Sequence, residues 1–166
     1  AAQHATIIKS GNMSLGINIL LGVVQNITKL VDDNWAIEIS EIHHKEKKDH
    51  PSGTALALGA SVAKGKKIDL EENKVIDDPI IDAVDINLTK IRKNVVRKKD
   101  DIGFSSYRKD GVIGDHSVIF SSENERIALT HIAKNRNIFA NGALKAALWG
   151  QNKKPGLYSM QDVLGF

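Results

Sequence analysis

"NWAIEISEIHHKEKKDHPSGTALALGASVAKGKK", Asn34 to Lys67, is the stretch on which the reading of the chain turns. Its first part alternates: Trp35, Ile37, Ile39 and then Ile42 stand against Glu38, Ser40 and Glu41, the period of a strand with a slip near its end. From Pro51 it reads as a helix, with Ser52 and Thr54 marking the start and Gly65 the end. Between the two lie His43, His44, Lys45, Lys47, Lys48 and His50, titratable groups crowded into the passage from strand to helix. A helix N-terminus leaves backbone N–H groups unpaired and carries partial positive charge, so the Pro-Ser-Gly-Thr turn can hold a carboxylate or phosphate. Gly53 would let the anion approach closely, and the Ser52 and Thr54 hydroxyls add donors; the plain alternative makes Ser52 only a cap. An imidazole titrates near neutrality and can hand over a proton, and an ammonium meets negative charge. If strand geometry persists through His44, the two imidazoles face opposite sides and one at most enters a given pocket. His43 and Lys47 are then the first and second candidates for handling a proton. A metal site from His43, His44, Asp49 and His50 competes with this, but the nearby lysines repel a divalent cation, so no metal is assigned.

On the N-terminal side, "ATIIKSGNMS" is a β-branched run ending at Gly11, and it reads as a strand that starts in the middle of a larger fold. Ile17, Leu20, Leu21, Val24, Ile27 and Leu30 then recur at helical spacing behind Ser14, predicting a helix over about 14–32. On the other side, residues 68–101 read as a long polar excursion broken by "DDP", with at most one short strand in "AVDINL". "IGFSSYR", "VIGDHSVIFSS" and "RIALTHIA" follow as three strands in an antiparallel meander, and "NIFANGALKAALWG" as a closing helix. The sum is an α+β domain: a mostly antiparallel sheet of about four strands with helices gathered on one face, the second face free to meet a partner sheet.

Composition bounds the function. The 166 residues, 42% hydrophobic and 26% charged, suffice for one core, and the lack of cysteine removes disulfides and thiolate chemistry. No signal-like start and no membrane-length apolar run stands out, so a cytoplasmic protein without membrane contact is expected. The net charge of +3 is modest, and the basic cluster from Lys90 to Lys99 has no aromatic residue for stacking. That cluster reads as a solvated, mobile loop, and nucleic acid is not an expected partner.

"EIHHKEKKDHPSGTAL" resembles the signature of the dihydrodipicolinate reductases, and the likeness extends to "SGNMSLGINIL", "YRKDGVIGDHSVIF", "FANGALKAALW" and "GLYSMQDVLG", nearly the whole chain. The resemblance implies reduction of a cyclic imine dicarboxylate by NADH or NADPH on the route to diaminopimelate and lysine. It implies His43 as general acid and Lys47 as the lysine that stabilises or protonates developing negative charge. His44, Ser52, Gly53 and Thr54 would hold the substrate carboxylates, Asn12 and Met13 would lie near the nicotinamide, and the sheets would build a homotetramer. No Gly-x-Gly-x-x-Gly turn joins a strand to a helix here, since "GVIGDH" sits within the strand meander. The expectation is therefore a second half lacking the N-terminal Rossmann domain. Residues 1–13 would be a remnant of that domain and its crossover, 14–151 the substrate-binding and oligomerisation domain, and 152–166 a tail packing toward the nucleotide domain. The competing class is a non-catalytic ligand-binding or assembly module of the same fold.

Overall fold

The computed structural model describes residues 1–82, 88 and 97–166. The elements run β1 (Thr6–Ile8), α1 (Leu15–Thr28), β2 (Ala36–His43), α2 (Gly53–Lys66), α3 (Leu70–Asn73), β3 (Lys74–Asp82), β4 (Ile102–Arg108), β5 (Asp115–Ser121), β6 (Arg126–Ile132), α4 (Asn137–Gly150), β7 (Gly156–Tyr158) and α5 (Met160–Leu164).

Among the described residues the main sheet has five strands in the order β3-β4-β2-β5-β6. The expected antiparallel sheet of about four strands is incorrect: β2 pairs parallel with β4 and β4 parallel with β3, while β2–β5 and β5–β6 are antiparallel. The physical reason is the insertion of β2 between β4 and β5, so that the "KDG" turn joins strands that are not neighbours. Among the described residues only β5–β6 is a hairpin. The fifth strand, β3, comes from the stretch read as an excursion, and its register with β4 shifts between Asp77 and Ile81, around Pro79. The strand expected in "AVDINL" falls on residues outside those described, apart from Leu88, which is buried.

Helices α1 and α2 cover one face of the sheet. Leu20 and Val24 of α1 and Ala55, Leu58, Val62 and Ala63 of α2 close over Ile37, Ile39, Ile102, Phe104, Val118 and Phe120. Each helix begins where the sequence places a cap: Ser14 Oγ accepts from Ile17 N–H, and Ser52 Oγ from Ala55 N–H. The pairing of β2 runs unbroken on both sides, so the expected slip is absent. Glu41 shares the helix-facing side with Ile37 and Ile39, and Ile42 lies on the other. Both faces of β2 are buried, which is why simple alternation misreads it. On the second face Arg97 joins Glu38 at 2.8 Å and Asp77 at 3.0 Å, with Ser105 Oγ lying 2.6 Å from Glu38 Oε1 and 3.0 Å from Asp77 Oδ2, where its one hydrogen is shared between them. Arg97 therefore departs from the solvated loop expected of its basic cluster.

A second, smaller cluster lies apart from the sheet. Ala146 of α4 and Met160 and Val163 of α5 pack with Ile8, Met13, Leu15 and Trp149. There β1 and β7 form a two-stranded parallel sheet of their own. Gly142 is required at this junction, because a side chain would run into the Met13 carbonyl. Among the described residues no helix is long and apolar enough to cross a membrane.

Candidate active site

The helix-facing side of the sheet is apolar at one end and polar at the other. Along β2 it reads Ile37, Ile39, Glu41, His43; along β4 Ile102, Phe104, Ser106, Arg108; along β5, antiparallel, Phe120, Val118, His116; and along β6 Ile127, Leu129, His131. The register sets Glu41 beside His116 and His116 beside His131, so one row across three strands carries the ionisable groups. Alternation forces this arrangement: each chemical residue continues the apolar series of its own strand by two positions.

Glu41, 1% exposed, is the hub. Its Oε1 accepts from the Ser52 backbone N–H at 2.9 Å and the Ser106 hydroxyl at 2.8 Å. Its Oε2 lies 3.5 Å from His43 Nδ1 and 3.5 Å from His116 Nε2. The two imidazoles meet edge to face at 5.0 Å, and His116 Nε2 is 3.2 Å from Ser52 Oγ. Burial favours a protonated Glu41, but its contacts with His116, Ser52 and Ser106 outweigh that and hold its pKa down to about 2. His43 goes the other way for a base. Burial pushes its pKa down to about 4; the Glu41 charge opposes this, and the charges of His116, Lys47 and Arg108 reinforce it. His131 is likewise lowered by burial and by His116, against Asp115.

Arg108 fixes the loop between β2 and α2. Arg108, a residue 4% exposed, donates through its guanidinium to the carbonyls of Lys47 at 3.1 Å and Asp49 at 2.9 Å, and also to Tyr107 O. Lys47 Nζ bonds both oxygens of Asp49, at 2.8 and 3.0 Å, and holds the Asp49 carboxyl below its ordinary pKa. A cavity of about 210 Å³ opens above this loop, and its wall includes Asn12, His43, His44, Lys47, Thr54, Gly114, His116, His131 and Arg136. Gly114 permits the close wall at His43, since a Cβ there would stand 2.9 Å from His43 Nε2. The amide of Asn12 bridges the two chain segments at the rim, donating to Thr54 Oγ1 at 3.1 Å and accepting from Ser14 N–H at 2.8 Å.

The family model described as dihydrodipicolinate reductase, C-terminus, matches residues 16–164. The chain belongs to that family. Among similar proteins, the 4-hydroxy-tetrahydrodipicolinate reductase of Parvibaculum lavamentivorans is 52% identical over 166 residues, covering 99% of this chain and 56% of that protein. The enzyme of the same name from Rhodopseudomonas palustris is 52% identical over 164 residues, 98% of this chain and 55% of its own length. The chain thus spans about half the length of the reductases it matches. A solved structure described as dipicolinate-bound dihydrodipicolinate reductase from Paenisporosarcina shares the fold. Its TM-score is 0.67 at 19% identity, over 97% of this chain and 54% of that one.

Within this dihydrodipicolinate reductase domain, the residues singled out from sequence divide into two groups. His43, His44, Lys47, Thr54 and Asn12 reach the cavity wall together. His44 joins His43 there because β2 ends at His43, so strand alternation no longer governs its direction. Ser52 instead faces inward, 2% exposed, capping α2 and touching His116; Gly53 forms the first residue of α2, and Met13 packs in the second apolar cluster. Among the described residues, His43 is the one weighed metal ligand that enters a cluster, with Glu41 and His116, and the ligand atoms of the three lie within 4.8 Å of one another. Lys47 and Arg108 set positive charge beside that cluster. Sequence reasoning gave no site role to Glu41, Ser106, Arg108, His116, His131 or Arg136, although Arg108 and His116 lie in a stretch it likened to the family. The usable signal was an acid two positions beyond Ile39 on an inward-facing series.

Proposed function

We propose that this chain is the substrate-binding part of a 4-hydroxy-tetrahydrodipicolinate reductase, which reduces a cyclic imine dicarboxylate to tetrahydrodipicolinate in diaminopimelate and lysine synthesis. The observation that carries the reading is one cavity wall where four imidazoles, His43 and His44 among them, the Lys47 ammonium and Thr54 at the α2 N-terminus converge. A planar dicarboxylate needs that combination: cations and oriented N–H groups for its two charges, and a proton source beside the ring. Lys47 and Thr54 with the Gly53 backbone N–H at the α2 N-terminus hold the carboxylates, while Ser52, committed to Glu41, the cap and His116, stays behind them; His44 adds a donor, and His43 delivers the proton. Hydride addition to the conjugated imine leaves negative charge on the substrate, which Lys47 faces and His43 quenches.

NADH or NADPH supplies the hydride when bound. The chain's own residues offer that cofactor only a fringe, with Asn12 at the cavity rim and Met13 turned into apolar packing. The small β1–β7 sheet, separate from the main one, supports reading residues 1–13 and 152–166 as belonging with a nucleotide domain. We further infer a cytoplasmic homotetramer built through the sheets; Ile132 of the edge strand β6, 59% exposed, is consistent with a covered surface. Sedimentation of the reductase as a monomer would refute the assembly.

The functional test is turnover in the full-length reductase. Lys47→Ala should lower kcat by about a hundredfold or more, within the range of acid–base and charge-stabilising groups. Undiminished turnover would remove Lys47 from the mechanism.

A further inference from the structure

The two ring nitrogens of His43 stand in different surroundings. Nδ1 is buried and faces Glu41 Oε2, and neither atom has a hydrogen-bond partner within ordinary geometry. An ionised carboxylate only accepts, so the nitrogens turned toward Glu41 carry the hydrogens, at His43 Nδ1 and His116 Nε2. The other carboxylate oxygen is already committed to Ser52 and Ser106, which fixes the carboxylate plane. His43 Nε2, beside Gly114 on the cavity wall, is then bare in the neutral ring. A bare nitrogen accepts a proton and has none to give. For His43 to act as an acid, a proton must first arrive there.

The charged groups facing His43 are Glu41 on its own strand, His116 from β5, Lys47 from the loop and Arg108 from β4. Two permanent cations and burial oppose a charged ring against a single carboxylate. A dianion seated against Lys47 reverses that balance, because it adds two negative charges close to the ring.

We propose that Glu41 is a positioning residue that fixes His43 as the Nδ1–H tautomer, and that His43 takes up a proton at Nε2 when a dicarboxylate enters the cavity. The choice of ligand rests on the function proposed above. The Nε2–H bond forms with a proton from solvent and breaks when that proton passes to the reduced substrate, returning the neutral ring to its starting tautomer. The 3.5 Å spacing to Glu41 shortens as the ring becomes charged, since a charge-assisted contact is shorter than a neutral one.

The test uses the full-length reductase with 15N-labelled histidine, pyridine-2,6-dicarboxylate as probe and NADH present. In Glu41→Gln the amide oxygen still accepts from Ser52 and Ser106, but its NH2 now faces His43 and demands an acceptor there. The 15N spectrum should show Nδ1–H in the parent and Nε2–H in the variant. Calorimetry of probe binding at neutral pH in buffers of different ionisation enthalpy should give uptake approaching about one proton per site in the parent and little in the variant. Glu41→Asp, keeping the charge, should retain the parent tautomer even if Glu41→Gln folds poorly. An Nε2–H tautomer in the parent, a tautomer unmoved by Glu41→Gln, or probe binding without proton uptake would overturn the proposal. A reductase that binds no probe would refute the proposed function and the uptake step with it, while the ligand-free spectra would still decide the role of Glu41.

Discussion

Arg108→Lys is the perturbation that most sharply tests how the loop between β2 and α2 is held. The guanidinium spans two loop carbonyls, Lys47 O at 3.1 Å and Asp49 O at 2.9 Å, while a third bond goes to Tyr107 O at 2.9 Å. A lysine ammonium keeps the charge but is a point donor on a flexible stem, and can reach one of these carbonyls at a time. Two bonds from a charged donor are lost, each worth about 1.5–3 kcal/mol; with partial replacement by the ammonium and water, a net loss of about 3 kcal/mol is expected. The loss falls on the segment that carries Lys47. Hydrogen exchange followed by mass spectrometry should therefore show residues 44–50 opening about a hundredfold more readily, with α1 and the sheet unchanged. In the full-length reductase kcat/KM should fall by roughly ten- to a hundredfold, since a small displacement of a positioning group is enough for that. Exchange in 44–50 and kcat/KM both within twofold of the parent would refute the argument that Arg108 holds this loop.

Three further outcomes follow from the same geometry. His43 is neutral in the fold and its pKa lies near 4 rather than 6.5, so the unfolded chain binds the extra proton: stability is fully present above pH 6.5 and falls as pH drops toward 4. By pH 5 the loss is about 2 kcal/mol, read from urea midpoints, and it should vanish in His43→Gln. Glu41, lowered from 4.5 to about 2, adds its own loss only below pH 4.5. Arg97→Met strands Glu38 and Asp77 without their cation and should cost about 3–5 kcal/mol at pH 7. Burial already raises the Glu38 pKa, against Ser105 and Arg97, so the variant should recover part of that deficit as pH falls toward the ordinary carboxylate range. Gly142→Ala should cost about 3 kcal/mol, measured as a lowered Tm, because the clash is with the Met13 backbone carbonyl, which cannot swing aside as a side chain would.

Much of the fold is legible from local pattern, and the failures have a common cause. Helices α1, α2 and α4 show themselves through apolar spacing and, for the first two, capping serines, because these signals lie within a turn or two of chain. Strand β3 does not, since Asp77 and Pro79 look like breakers until Arg97 and Ser105 are brought against Asp77 from the distant chain. The parallel neighbours were unreadable for the same reason: which strand β2 joins depends on covering both its faces, and no local residue reports that. At the site, His43, His44, Lys47 and Thr54, which reach one cavity wall, could be picked out because they lie close together in sequence. Glu41 and His116 could not, being 75 residues apart (116 minus 41) and joined only by the β2–β5 register. Ser52 shows the limit of motif reading: its hydroxyl serves the helix cap and His116 rather than opening onto the cavity.

The central claim is that the cavity beside His43 and Lys47 receives a planar dicarboxylate, and the most direct measurement is the crystal structure of the full-length reductase with pyridine-2,6-dicarboxylate and NADH. The account predicts the ligand in that cavity, one carboxylate on the α2 N-terminus at Thr54, and Lys47 Nζ turned from Asp49 to the ligand. A dicarboxylate bound elsewhere, or bound here with Lys47 still on Asp49, would contradict it.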